Sequence, residues 1–199
     1  MRRLLLLCLA LLSFSCPAWA DEVGRVVKLQ GQAQADGRVL AEGDRFDLGQ
    51  RLTTGAEARL YVLLVDGTEL TLGAHAAMIV DELTLSSQKA SAVFRLAQGA
   101  FRLVGGGVAK VPDHRMEVQT PLVTIGIRGT DVWGGSVKSP MDVFLIEGGV
   151  TVTTPGGTVV LDQPGQGTSV TAAGQAPAVP VFWPSKLKEQ AFATVSFGK

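Results

Sequence analysis

The stretch Arg59-Leu60-Tyr61-Val62-Leu63-Leu64-Val65-Asp66-Gly67-Thr68-Glu69-Leu70-Thr71-Leu72-Gly73 predicts two antiparallel strands joined by a tight turn. Asp-Gly is a preferred pair for a two-residue hairpin turn, because both central positions of that turn take a positive φ. Such a turn at Asp66 and Gly67 fixes the pairing register and sets Leu63 opposite Leu70. Since the first arm is apolar on both faces, we expect an interior hairpin that is covered on both sides.

Short runs of Val, Leu, Ile and Thr separated by glycines recur along the rest of the chain. A second hairpin is predicted over residues 150–161, with its turn at Pro155-Gly156-Gly157. A spacing of about 8–12 residues between short strands is typical of an all-β sandwich, barrel or solenoid. The other predicted strands cover residues 25–29, 38–40, 78–85, 92–96, 101–104, 116–119, 123–127 and 142–146.

The last part of the chain, residues 172–199, is a Pro- and Ala-rich tail with one predicted helix. Ser185 is predicted to cap a short amphipathic helix over residues 186–194, since proline before it blocks extension backwards. Trp183 and Phe192 are expected to pack the tail onto the β domain. The alternative is a tail that binds a partner.

The N-terminus has the three parts of a secretory signal peptide. Met1-Arg2-Arg3 is a short positive region, residues 4–12 are an unbroken apolar run, and Ala18-Trp19-Ala20 places small residues before a cleavage site. A membrane-spanning helix needs about 20 apolar residues, so this run is too short to be an anchor. We therefore predict that residues 1–20 are removed by cleavage after Ala20.

The mature chain is predicted to have no cysteine, because Cys8 and Cys16 both lie in the signal peptide. Cys16 leaves a lipid anchor open as an alternative, although Phe14 fits the lipoprotein pattern poorly. Loss of Arg2 and Arg3 takes Lys+Arg from 18 to 16 against 18 acidic residues, a net charge of −2. This balance gives no attraction to nucleic acid. No other apolar run is long enough to span a membrane.

The most distinctive stretch is Val118-Gln119-Thr120-Pro121-Leu122-Val123-Thr124-Ile125-Gly126-Ile127-Arg128-Gly129-Thr130-Asp131-Val132-Trp133. A Thr-Pro pair, an alternating apolar strand and then Ile-Arg-Gly-Thr resemble the core motif of FecR domains. Further motifs in the same order, such as Glu42-Gly43-Asp44 and Glu147-Gly148-Gly149, extend the resemblance over most of the mature chain. The residues that carry the core motif are Thr120, Pro121, Gly126, Arg128, Gly129 and Thr130.

The resemblance implies an all-β domain over residues 21–171, solenoid-like or sandwich-like, with no catalytic residues. FecR itself is a membrane regulator that relays a signal from an outer-membrane iron-siderophore transporter to an extracytoplasmic-function sigma factor. This chain differs in its predicted cleavable signal and its lack of a predicted span. We therefore interpret it as a stand-alone exported FecR domain, periplasmic or secreted. Cleavage of the signal would exclude direct contact with a cytoplasmic sigma factor.

The side chain of Arg128, within the motif, has two possible roles. In the first it is partly buried and binds backbone carbonyls or a carboxylate such as Glu147, Asp131 or Asp66. In the second it recognises an anionic group. Gly126 and Gly129 are expected to permit close approach of the backbone.

Three aromatic residues are candidates for contact with a partner: Trp133, Trp183 and Phe192. For Trp133 the alternative is a core residue, and for the other two it is packing of the tail.

No pattern in the sequence indicates catalysis, a metal site or a cofactor. His75 and His114 lie far apart with no other ligand type nearby, so we expect turn or surface roles for them. Ser86-Ser87 and Ser91 lack the Gly-x-Ser-x-Gly context of a hydrolase. Gly105-Gly106-Gly107 lacks the Lys-Ser/Thr that follows in a phosphate loop.

These observations predict a non-enzymatic interaction module that binds an envelope protein, in signalling or as a scaffold. Open strand edges are one place where a partner strand can add. The alternative is a carbohydrate or cell-wall binding module, which would need exposed aromatic platforms although aromatic residues are 6% of the chain.

Overall fold

The computed structural model describes residues 21–86 and 89–198, so the predicted signal peptide lies outside the described residues. Within these residues, sixteen strands, a short 3-10 helix over Val108–Lys110 and one α-helix make up the fold. Their bounds are β1 Glu22–Gln30, β2 Ala33–Ala35, β3 Arg38–Val39, β4 Arg45–Asp47, β5 Arg51–Thr54, β6 Arg59–Leu64, β7 Glu69–Leu72, β8 Ala77–Leu85, β9 Ala90–Gln98, β10 Phe101–Val104, β11 Arg115–Gln119, β12 Thr124–Gly135, β13 Met141–Thr154, β14 Gly157–Leu161, β15 Gln166–Val170, β16 Val181–Phe182 and α1 Ser185–Ala193.

All the strands belong to one curled sheet that forms a half-barrel. The prediction of an all-β fold with a short C-terminal helix is therefore confirmed. The main path runs β3-β2-β5-β8-β9-β11-β12-β10-β7-β6-β1-β4. Neighbouring strands are antiparallel except for β9 and β11. The long strand β13 pairs with β12 along most of its length, and also with β14 at one end and β15 at the other. Strand β12, which carries the motif, is therefore paired with β11 and β10 along one edge and with β13 along the other.

The main core lies on the inner face of this curled sheet. Phe46, Phe94 and Phe101 are its largest aromatic residues, and all three are almost completely buried. Strand β6 shows the alternation of side chains that builds this core. Leu60 and Val62 are fully buried, while Tyr61 and Leu63 are half-buried. This period of two is the pattern of a sheet with one fully buried face.

The hairpin of β6 and β7 exists, but the predicted register is wrong by one residue. Leu63 pairs with Glu69 and Val62 with Leu70. The connection is the three-residue turn Val65-Asp66-Gly67, in which Gly67 alone has a positive φ, of 82°. A type I turn followed by a left-handed glycine closes a three-residue loop equally well. The shift puts Leu60, Val62, Leu70 and Leu72 on one fully buried face and leaves Tyr61 and Leu63 half-buried on the other, so the cover predicted for both faces is incomplete on the second.

The hairpin is interior to the sheet, as predicted, because β6 and β7 each have two neighbouring strands. The second hairpin, β13 with β14, is also confirmed. Thr154 pairs with Gly157, so its turn consists of Pro155 and Gly156 alone.

A second, smaller core lies on the outer face of the sheet, where the tail packs. Val132 belongs to the main core, and Trp133 next to it points the other way and is fully buried. Phe144 stacks on Trp183 with 5.0 Å between ring centroids, and Phe192 meets Phe144 edge-on at 6.0 Å. Ala191 of α1 is also buried there. The predicted packing of the tail is confirmed.

The start of α1 differs from the prediction. Pro184 is the N-cap residue, Ser185 already belongs to the helix, and no side chain caps it. The Pro184 carbonyl accepts from the N–H groups of Leu187 and Lys188 at 3.0 and 3.2 Å, so the helix begins one residue early. In the described part of the chain, no helix is long and apolar enough to cross a membrane.

Candidate functional site

The Thr-Pro pair of the motif forms the reversal between β11 and β12. Thr120 N–H donates to Val123 O at 2.9 Å, and Thr120 Oγ1 accepts from the N–H groups of Leu122 and Val123 at 3.2 and 3.0 Å. A threonine hydroxyl that satisfies the backbone just after it fixes a tight turn. Pro121 sits exposed on this turn with its φ already set. The pair is therefore a rigid corner on the surface.

Three adjoining cavities of about 580, 370 and 380 Å³ surround this corner, and Thr120 and Pro121 line all three. We call them together the turn groove. Its lining comes from strands that lie far apart in the sequence, with the end of the tail at one side. Besides the corner itself, the side chains that define the groove are those of Arg51, Arg59, Leu96, Ala97, Gln98, Leu122 and Met141.

The turn groove is apolar on its floor and cationic on its rim. Leu96 and Met141 are buried beneath it, while Ala97 and Gln98 are exposed. Arginines from β5, β6 and β9 reach it, and no Asp or Glu lines any of its three cavities among the described residues. Recognition sites commonly combine an apolar surface with a few placed polar groups. This arrangement suits a segment of another molecule better than proton transfer, which needs a titratable pair.

Arg59 connects the groove to the tail. Its Nη2 donates to Ala193 O at 3.1 Å and its Nη1 to Ala58 O at 2.8 Å. A cation at a helix C-terminus is favourable, because the last carbonyls carry the negative end of the helix dipole. Arg59 Nε is buried and has no hydrogen-bond partner among the described residues. This side chain therefore holds the end of α1 beside the groove.

The other end of the motif is a β-bulge. The pairing of β12 with β13 shifts between Arg128 and Thr130, and Gly129 has a φ of 56°. Gly129 is therefore needed for its backbone conformation, and the expected close approach is wrong, since a Cβ there would meet its nearest atom only at 3.8 Å. At Gly126 a Cβ would also lie 3.8 Å from its nearest neighbour, so that position tolerates a side chain.

Arg128 is exposed, which corrects the expectation of a partly buried side chain. Asp131 is bound to Arg102, whose Nε lies 2.8 Å from Asp131 Oδ1. These hydrogen bonds raise the pKa of the Arg102 guanidinium above its ordinary value, although burial acts in the opposite direction. Arg128 lines a separate cavity of about 340 Å³ with Lys110 and His114. The hypothesis that Arg128 recognises an anion stays a prediction.

The three aromatic candidates lie in the outer core. Trp133 and Trp183 are 0% and 3% exposed, and Phe192 is half-buried. Trp133 Nε1 donates to Thr194 Oγ1 at 3.0 Å, so the tail satisfies this indole. Both tryptophans act as core residues in this fold, and a partner reaches them only if the tail moves away.

The Asp66 turn has a docking role that the sequence did not suggest. Asp66 Oδ1 accepts from Thr68 N–H at 2.9 Å, and its Oδ2 accepts from Val108 N–H at 3.2 Å. The Asp66 carbonyl accepts from Gly107 N–H at 2.6 Å. Gly106 N–H donates to Thr68 Oγ1 at 3.1 Å. The glycine-rich loop after β10, residues 105–107, is thus bound to the hairpin turn by hydrogen bonds and has a structural role.

Asp142 is a fully buried carboxylate beside the groove residue Met141. Its Oδ2 accepts from the N–H groups of Val137, Lys138 and Ser139 at 3.0, 2.9 and 3.1 Å. The hydroxyls of Ser139 and Ser169 each donate to Oδ1 at 2.7 Å. Burial acts to raise the pKa of the Asp142 carboxyl, but these hydrogen bonds outweigh it and the pKa lies below its ordinary value.

The histidines have structural positions. His75 is an exposed turn residue with a φ of 51°. The His114 ring lies between two backbone carbonyls, with Nδ1 2.7 Å from Val111 O and Nε2 3.2 Å from Ile127 O. Within residues 21–86 and 89–198, no three His, Cys, Asp or Glu side chains are grouped so that they could hold a metal ion.

The open strand edges differ in how well they are protected. Strands β3 and β16 are two residues long, and β4 carries Arg45 and Asp47. Strand β14 pairs only with β13, has five residues without charge or proline, and exposes Val160. Short or charged edges resist pairing with another chain, whereas a longer uncharged edge invites it. Among the described strands, β14 therefore fits the predicted addition of a partner strand best.

The residues of the turn groove were missed by sequence reasoning, apart from the corner itself. Arg51, Arg59 and Ala97 come from different strands, and no local pattern connects them. Asp142 did leave a signal, since an aspartate in the apolar run Met141-Asp142-Val143-Phe144-Leu145 indicates a carboxylate that must be satisfied when buried.

The FecR protein family model matches residues 50–151, which include the hairpin of β6 and β7 and the whole core motif. No curated protein matches the chain.

Two crystal structures of a candidate anti-sigma factor from Parabacteroides distasonis have a similar fold, each with a TM-score of 0.55. Their sequences are 14% and 16% identical to this chain, and the match covers 68% of it. The chain spans 61% of the length of those two proteins. The likeness therefore concerns the fold.

Proposed function

Because this chain belongs to the FecR protein family, we propose that it is an exported, non-enzymatic interaction module of the cell envelope that binds a protein partner through its turn groove. It acts in signalling or as a scaffold. The observation that carries the proposal is the groove itself, which the family's Thr120-Pro121 corner shapes and which combines an apolar floor with a cationic rim.

Export is supported by the N-terminal sequence. The positive start, the apolar run of residues 4–12 and the small residues before position 21 are the three parts of a cleavable secretory signal peptide. Removal of residues 1–20 leaves a chain without cysteine, whose stability then comes from the two cores. The site of action is accordingly the periplasm or the cell exterior, and the partner is an envelope protein.

A protein partner is supported by the kind of surface that the groove offers. Its three adjoining cavities surround a corner and combine the apolar Leu96 and Met141 with arginines at the rim, which suits an extended segment of another chain. The two similar crystal structures are described as those of a candidate anti-sigma factor, a class of protein that works by binding another protein.

The carbohydrate-binding alternative lacks the surface that it needs. A surface that binds sugars requires exposed aromatic rings. In the part of the chain that the structure describes, Phe182 is the one exposed aromatic residue, and the others are buried or half-buried. Both tryptophans that the alternative would use are buried.

The test uses a substitution that fills the groove without entering the core. Ala97 is exposed and lines the cavities of about 580 and 370 Å³, so Ala97→Trp should block the groove. The tagged chain is expressed in its own host, and proteins retained from the solubilised envelope are quantified. We expect Ala97→Trp to reduce the retained partner by about tenfold, which corresponds to about 1.4 kcal/mol of binding free energy.

The matched control is Val65→Trp. Val65 is 67% exposed at the hairpin turn, at the far end of β6 from Arg59. It adds the same indole to the surface away from the groove, and the partner should still be retained. Equal retention by both variants would mean that the groove is not the binding surface.

A further inference from the structure

The charged residues that line the turn groove are all basic, whereas the chain as a whole has nearly equal numbers of basic and acidic residues. After removal of residues 1–20 the chain carries 16 basic and 18 acidic residues. The groove nevertheless collects arginines from β5, β6 and β9, and no carboxylate lines it among the described residues. Such a local imbalance selects for a partner of the opposite charge.

Two of these three arginines, Arg51 and Arg59, are not in an ion pair with another described residue. Arg95 forms an ion pair with Asp81, with 2.6 Å between Nη2 and Oδ2, so its charge is largely neutralised. Arg51 and Arg59 form no ion pair within 4.0 Å in the described chain. Asp36 lies near Arg51, but its Oδ1 accepts the Arg51 backbone N–H at 3.0 Å and it does not line the groove.

The shape of the groove indicates how a ligand lies in it. The cavity with Arg59 and the cavity with Arg51 meet at Leu96, Ala97 and the Thr120-Pro121 corner. The two guanidinium groups are therefore reached from opposite sides of one apolar strip. A ligand that uses both must place carboxylates at its two ends and an apolar group between them, which an extended chain does readily because every second side chain points to the same face.

We propose that the turn groove binds an extended acidic segment of the partner protein, with carboxylates facing Arg51 and Arg59 and an apolar side chain on Leu96 and Pro121. This inference rests on the proposed function and names the chemistry of the partner. Arg51 suits the role because the planar fork of arginine binds a carboxylate with two parallel hydrogen bonds, whereas Arg59, whose Nη atoms donate to Ala58 O and Ala193 O, attracts a carboxylate through its charge.

The experiment screens the protein, purified from cells that export it, against an array of random twelve-residue peptides. Peptides rich in Asp and Glu with an apolar residue between them should be enriched. The best acidic peptide should bind about five- to tenfold more weakly to Arg51→Glu, as expected when an exposed ion pair is replaced by like charges. Its binding should also weaken as the salt concentration rises.

Arg128→Glu is the matched control, because it reverses an exposed arginine at the other end of the motif. Binding of the acidic peptide should be unchanged in this variant. Enrichment of basic or uncharged peptides, no enrichment at all, or a loss caused by Arg128→Glu and not by Arg51→Glu would overturn the inference. If Ala97→Trp still abolishes capture of the envelope partner, the proposed function survives any of these results.

Discussion

Replacement of Asp142 by alanine should destabilise the protein by about 3–4 kcal/mol, a large loss for a single polar side chain. The carboxylate is fully buried and accepts five hydrogen bonds, three of them from the backbone of residues 137–139. Alanine leaves all of these donors without their acceptor. Chemical denaturation of the purified mature chain measures the effect, and Asp162→Ala, at an exposed aspartate, should change stability by less than about 0.5 kcal/mol.

The contribution of Asp142 should depend on pH in a defined direction. Because the folded-state pKa lies below the ordinary value, the ionised carboxylate stabilises the fold at pH values above the pKa of the unfolded chain, about 3.9. That contribution is lost as the pH falls through the folded-state pKa. The stability gap between the wild type and Asp142→Asn should therefore be full at pH 7 and shrink below about pH 4. A gap that is constant down to pH 2 would show that the ionised form has no special role.

The second large effect is expected at Gly106. A Cβ at this position would lie 2.5 Å from Gly67 C and 2.6 Å from Asp66 O, and would overlap Thr68 N. These are backbone atoms of the hairpin turn and cannot move aside as a flexible side chain could. Gly106→Ala should cost about 2–3 kcal/mol, because the loop must lift away from the turn and release its hydrogen bonds.

Gly126→Ala is the control for this prediction. It adds the same methyl group to a family-motif glycine, where the nearest atom would be an ordinary 3.8 Å away. Its effect on the melting temperature should be small and of either sign, since alanine also restricts the unfolded chain. Equal losses at the two glycines would contradict the distinction between a docked loop and a tolerant strand position.

The strands that sequence reasoning predicted best are those with strong apolar patterns and turn residues at their ends. Strand β10 was predicted with its exact bounds, and the hairpins of β6 with β7 and of β13 with β14 were both recognised. Five short strands escaped prediction, namely β2, β4, β5, β15 and β16. Each has at most five residues, and their place is set by pairing with distant segments rather than by local pattern.

The register error at Asp66-Gly67 has a physical cause. The same dipeptide closes a two-residue or a three-residue loop, and the choice moves every side chain of one arm to the other face. The packing of Leu60 and Val62 with Leu70 and Leu72 decided between the two loops, since only the longer one puts all four residues on the buried face. Tertiary burial thus settled what the turn residues left open.

The candidate site was predictable only in part. The sequence singled out Thr120 and Pro121 as family-motif residues between two predicted strands, and their turn chemistry explains the corner that they form. The groove around it does not, since Arg51, Arg59 and Ala97 meet only through the order of strands in the sheet. Trp133 illustrates the opposite case. An exposed anchor and a core residue look alike in a strand until the tail is known to cover that face.

Site-specific photo-crosslinking in intact cells tests most directly whether an exported FecR domain holds its partner in the turn groove. A benzophenone amino acid is placed at Ala97 or, as the reference position, at Val65, and the adducts are analysed by mass spectrometry. The expected result is an adduct from Ala97, in the envelope fraction, in which this chain begins at Asp21. An adduct from Val65 alone, or a chain that keeps residues 1–20 and stays in the cytosol, would contradict this assignment.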